Sequence, residues 1–120
     1  MSKIDEVVKF ASKELPGLDW VIDMYDLSMM WVSPKATEMT GYSETEMLSM
    51  RNLDFMSPRY TQAELRQNMM DRVVRQRGEQ NYVIVNKQGV ELQISFAYYA
   101  FKYEGGEYMA GKIIEYGTVK

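Results

Sequence analysis

The chain has 120 residues, 46% of them hydrophobic and 26% charged, which is the size and balance of one domain around one hydrophobic core. It contains no cysteine and no histidine, which removes disulfides, thiolate chemistry, the commonest metal ligand and the usual neutral-pH general base. A net charge of −3 speaks against a dedicated nucleic-acid or anionic-membrane surface, and no apolar run approaches the ~20 residues that span a bilayer, so a cytoplasmic protein is expected.

Ile4, Val7, Val8, Ala11 and Leu15 recur at helical spacing, with Ser2 as cap and Asp5 near the positive end, and Pro16-Gly17 stops the helix. Leu18 to Tyr25 and Met29 to Val32 are rich in β-formers and flank a polar turn at Asp26-Leu27-Ser28, which predicts two short strands. Ser33-Pro34 starts a short helix that Gly41 closes. Ser43-Glu44-Thr45-Glu46 is a capping box, with Tyr42 and Met47 as a hydrophobic staple. Thr61-Gln62-Ala63-Glu64 repeats this grammar, with Tyr60 and Leu65 as the staple, and opens a longer helix. Its buried stripe is expected through Leu65, Met69 and Val73, helped by Met70 or Val74, with Arg66, Gln67, Arg72 and Arg75 facing water and Gly78 ending it.

From Glu79 onward the pattern changes to strands: Gln80 to Val85, Val90 to Phe101 and Glu107 to Tyr116, separated by Asn86-Lys87-Gln88-Gly89 and Glu104-Gly105-Gly106. Leu92, Ile94, Phe96 and Tyr98 alternate with polar positions, giving one inward face. The order predicts an α+β domain: an antiparallel sheet with helices over one apolar face and a pocket between them. The 11 methionines fill irregular space in such a core.

Particular residues carry a family resemblance. Trp31-Val32-Ser33-Pro34 through Met39-Thr40-Gly41-Tyr42-Ser43 resembles the stretch of PAS (Per-Arnt-Sim) domains in which a strand ends at Asn-Pro and a helix ends at Thr-Gly-Tyr-Ser. Met56-Ser57-Pro58 stands where the family often has a His-Pro turn, and Asn86-Lys87-Gln88-Gly89 where it favours Lys-Asp-Gly. Ser33 for Asn, Gln88 for Asp and the absence of a glycine in Asp26-Leu27-Ser28 are departures. The closing residues from Ile114 to Lys120 lack the Asp-Ile-Thr that usually leads to an output helix, which argues against a direct covalent output.

The resemblance implies a PAS-like five-stranded antiparallel sheet over residues 18–120, preceded by an amphipathic helix over residues 1–17. It also implies a pocket walled by Trp31, Met47, Phe55, Met56, Leu65, Met69, Tyr82, Ile84, Ile94, Phe96, Met109, Gly111 and Ile113. Such a wall suits a small apolar or aromatic ligand oriented by Tyr82, Tyr98 or Ser95. The expected function is a noncatalytic sensor that relays to a signalling partner or fused effector. A ligand-free interaction module is the alternative, with the stripe Ile4, Val7, Val8, Ala11 and Leu15 packed back on its own sheet or against a second copy, and the resemblance favours the homodimer interface. Haem held through His and a flavin–Cys adduct fail for want of the ligand residues, which leaves a flavin held noncovalently, stacked on Trp20 or Trp31, as a redox-sensor reading. Asp19, Asp23 and Asp26 are read as turn residues rather than a catalytic set, and Arg59, Arg66, Arg72, Arg75 and Arg77 as a solvated face rather than a nucleic-acid site.

Overall fold

Side-chain caps set the helix starts in the computed structural model, which describes residues 2–119. Ser2 Oγ accepts from the Asp5 amide at 3.2 Å and opens α1 (Lys3–Glu14), and Ser33 Oγ accepts from the Ala36 amide at 3.1 Å and opens α2 (Pro34–Thr40). Reciprocal capping boxes, Ser43 with Glu46 and Thr61 with Glu64, start α3 (Glu44–Leu48) and α4 (Gln62–Arg75) as the sequence grammar predicts. A short 3-10 turn over Asn52–Phe55 lies between those two helices.

Five strands complete the chain: β1 (Trp20–Asp23), β2 (Met29–Val32), β3 (Arg77–Val85), β4 (Glu91–Tyr103) and β5 (Gly106–Thr118). They form one sheet in the order β2-β1-β5-β4-β3, with every neighbouring pair antiparallel. The early hairpin therefore joins the late meander through β1 and β5, and the two halves of the sequence share one surface.

Both faces of that surface are covered. The inner face presents Trp20, Ile22, Tyr82, Ile84, Ile94, Phe96, Tyr98, Met109 and Ile113 to α2, α3 and α4, and these make one apolar cluster with Met39, Met47, Phe55, Leu65 and Met69. The outer face presents Val21, Phe101, Tyr108 and Ala110 to α1, whose Val7 and Ala11 are fully buried there. Val8 and Leu15 pack on the same cluster, and Ile4 alone of the stripe is exposed. Of the two places expected for the stripe, its own sheet or a second copy, the chain's own sheet covers most of it. Met1 and Lys120, the outer bounds of the two segments expected from sequence, lie outside the described residues.

Three local expectations are corrected. The helix α4 ends at Gln76, which takes a left-handed φ of 68° and donates its amide to the Arg72 carbonyl at 2.8 Å. Gly78 lies instead within β3 opposite Tyr98, and a Cβ on it would come within 2.8 Å of the Tyr98 hydroxyl oxygen. The buried face of α4 runs through Leu65, Met69 and Arg72, while Met70, Val73 and Val74 are exposed. Trp31 is the third case. The register of β1 with β2 shifts between Val21 and Ile22, so that Val21 faces Trp31 and Ile22 faces Met29, with Met30 as the extra residue. Directly paired residues share a face, so Trp31 falls on the outer side beside Val21, and Val32 takes the inner position opposite Trp20 that alternation from Met29 gives to Trp31.

Candidate functional site

Between the inner sheet face and the helices lies a cavity of about 40 Å³. Its sheet wall is Trp20, Met29, Tyr82, Ile84, Ile94 and Phe96; its helical wall is Ala36, Met39 and Thr40 of α2, Met47 of α3, Asn52, Phe55 and Met56 around the 3-10 turn, and Arg72 of α4. Met47, Phe55, Met56, Tyr82, Ile84, Ile94 and Phe96 of the sequence-derived wall therefore line it. Leu65, Met69, Met109 and Ile113 belong to the same apolar cluster but pack around the cavity without lining it. Gly111 sits beside it as the floor on which the Trp20 ring lies: a Cβ there would be 2.0 Å from Trp20 Cε2. Trp31 is on the opposite face of the sheet.

Arg72 is the residue that sequence reasoning missed. It is only 3% exposed, yet it meets no carboxylate. Its donors reach the Asn68 carbonyl at 3.4 Å, Tyr82 Oη at 3.5 Å and Met109 Sδ at 3.9 Å, all long contacts. Its guanidinium carbon lies 5.3 Å from the Tyr82 ring centroid and 5.7 Å from that of Phe96, which supplies cation–π attraction in place of an ion pair. Burial lowers the guanidinium's pKa from its ordinary value, opposed by Tyr82 and Tyr98, and burial raises that of Tyr82, opposed by Arg72. The signal was in the sequence: Arg72 stands seven residues after Leu65 and three after Met69, on their face of the helix.

The other polar groups of the wall differ in how they are satisfied. Thr40 Oγ1 donates to the Ala36 carbonyl at 3.1 Å and accepts from the Tyr42 amide at 3.3 Å. Asn52 is buried, and its Oδ1 has no hydrogen-bond partner. Asp23 and Asp26 cap their own turn, accepting from the amides of Tyr25 and Ser28. Asp19, by contrast, is a buried bridge from the start of β1 to β5 and to the cap of α2 rather than a turn residue, accepting from Ser33 Oγ and the Ile113 amide. Among the described residues no group of three acidic side chains could hold a metal ion, and no helix is long and apolar enough to cross a membrane.

A clamp holds the helical wall to the sheet. Ser57 Oγ donates to Glu91 Oε2 at 2.6 Å, Arg59 donates to both Glu91 oxygens, and the Tyr60 hydroxyl accepts from the Val83 amide at 2.8 Å. Ser57 first, then Arg59, hold the Glu91 carboxyl below its usual pKa. A depressed carboxylate contributes stability that is complete above its unfolded-state value, about 4.3, and is lost as pH falls through the folded one. Glu91→Gln is therefore expected to flatten stability against pH below about 4.3 and to leave that slope unchanged at pH 6–8; urea titrations across this range check it.

An antiparallel five-stranded sheet in this order, with short helices enclosing a cavity against one face, is the PAS fold. No family model and no curated protein matches the chain by sequence. Solved structures match it closely in three dimensions. The PAS domain of an HTR-like protein from Haloarcula marismortui is 16% identical, with a TM-score of 0.66 over 96% of this chain and 97% of that one. The PAS domain of the fruit-fly ELK potassium channel is 13% identical, with a TM-score of 0.65 over 95% and 98%. The Rhodobacter sphaeroides LOV protein is 16% identical, with a TM-score of 0.71 over 95% of this chain and 68% of that one.

Proposed function

We propose that the chain is a noncatalytic sensor in which a small molecule occupies the cavity and the sheet passes the change to α1. The observation that supports this reading best is the cavity between the inner sheet face and α2–α4, with the buried Arg72 and the unpaired Asn52 in its wall. A short path leads outward from it. Within β1, Trp20 and Ile22 face the cluster that holds the cavity and Val21 faces α1, where it shares a cluster with Val7 and Ala11. A shift of β1 thus reaches a helix that a partner or fused effector in cytoplasmic signalling reads, and a ligand acts only through its differential affinity for the two packings.

The two tryptophans lie on opposite sides of this path, which makes the relay measurable. In a Trp31→Phe variant the emission reports Trp20 at the cavity; in a Trp20→Phe variant it reports Trp31 beside α1. A ligand first found by native mass spectrometry of the purified protein is expected to change both signals. A ligand that changes the Trp20 signal and leaves the Trp31 signal flat refutes the relay.

The cavity is far below the ~300 Å³ or more of sites that hold cofactor-sized molecules, so a noncovalent flavin would require the wall to open. The same near-filled interior supports a second reading, a ligand-free interaction module. Its contact surface would be the exposed Met70, Val73 and Val74 of α4 rather than the covered stripe of α1. A homodimer without bound mass in the same native spectrum selects it.

A further inference from the structure

We infer that the cavity takes a small organic anion, a carboxylate of about two or three carbons, with Arg72 as its counter-charge. This rests on the sensor reading and names its ligand class.

The charge balance of the interior points there. A guanidinium is protonated at all ordinary pH, carries five donors and is costly to bury without an anion. Arg72 is buried in a mostly apolar wall, and no carboxylate reaches it among the described residues. Its three polar contacts are long and uncharged, so they leave the charge uncompensated, and no partner meets the other two of its five donors among the described residues. Tyr82 and Phe96 attract the cation but occupy none of its donors. A planar carboxylate matches that fork in geometry and in charge.

Size and polarity narrow the class. At about 40 Å³ the cavity is far too small for a cofactor and suits a guest of roughly four or five non-hydrogen atoms, acetate or propionate. Ala36, Met39, Met47 and Ile94 offer an apolar seat for a short alkyl end. Asn52 Oδ1, buried and lacking a donor, is a second sign that the lining is complete only with a guest. Waters could meet these hydrogen bonds, but they bring no charge to set against Arg72.

The test compares acids with their neutral isosteres on the full chain. Acetate and propionate, and acetamide and propionamide, are titrated at constant ionic strength while the thermal midpoint is followed, in the native protein and in Arg72→Met. The acids are expected to raise the midpoint by roughly 10 °C at a hundred times their Kd, the amides to leave it within 1 °C, and Arg72→Met to lose the response. An equal response to acids and amides overturns the anion class and leaves the sensor cavity standing. An acid response that survives Arg72→Met places the anion elsewhere and overturns the proposal. Silence from all four compounds overturns the proposal, while the sensor reading stands or falls on the bound mass in the native spectrum. If Arg72→Met does not fold, the contrast of acid with amide in the native protein still decides the class.

Discussion

Gly111→Ala is expected to destabilise the protein by about 3 kcal/mol, at the upper end of what overpacking one methyl group costs. Gly111 lies directly opposite Trp20 on β1 and opposite Tyr98 on β4, in a row that crosses three strands of the inner face. The Trp20 indole lies across it, so that an added Cβ would meet Cε2, Cζ2 and Nε1 at 2.0, 2.2 and 2.3 Å. The ring cannot simply lift away, because it is packed at 5.4 Å against Phe96 in the same cluster. The conflict is between two named side chains, and a double-mutant cycle isolates it. In a Trp20→Leu background the same Gly111→Ala change is expected to cost about 2 kcal/mol less. Urea denaturation of the four proteins measures this; a cost below about 0.5 kcal/mol in the native background would mean that the ring moves freely.

The features legible in the sequence are those with a local cause. Caps at Ser2, Ser33, Ser43 and Thr61 need only residues within one turn, and each forms where the chain chemistry places it. The alternation of Leu92, Ile94, Phe96 and Tyr98 reports a face because β4 is long and its burial alternates without a break from Leu92 to Tyr98. What was not legible depends on partners far along the chain. The Trp31 side follows from an extra residue, Met30, in the pairing of β1 with β2, and two four-residue strands are too short to show a change of phase. On α4 the apolar residues are a poor guide: Val73 and Val74 are exposed, and the buried third position is a cation. Hydrophobicity assigned that face to Val73, whereas the geometry of Leu65 and Met69 assigns it to Arg72. A charged residue in phase with a buried stripe is where local and global preferences disagree, and such disagreements gather at functional sites.

Asp19→Ala is expected to cost a similar amount, about 3 kcal/mol, because it strands two buried donors at once. The backbone of β1 pairs with β5 from Asp23 back to Trp20, and the Asp19 amide donates to the Gly111 carbonyl at 2.7 Å. Beyond that point the side chain takes over: Oδ2 accepts from the Ile113 amide at 2.7 Å, continuing the ladder where the strand has turned away. The other oxygen, Oδ1, accepts from Ser33 Oγ at 2.6 Å, the same hydroxyl that caps α2, and the Ser33 amide donates to the Asp19 carbonyl at 2.8 Å. One carboxylate therefore fixes the start of β1, the middle of β5 and the entry of the helix that brings Ala36, Met39 and Thr40 to the cavity. Asp19→Asn keeps one acceptor for Ile113 and an amide for Ser33, so it is expected to cost only about 1 kcal/mol. Hydrogen exchange adds a spatial readout: in Asp19→Ala the amides of α2 and of Ile113 should lose protection before those of α4. Equal costs for the Ala and Asn variants, with α2 protection unchanged, would show that the carboxylate only fills space and that the cavity wall is held from elsewhere.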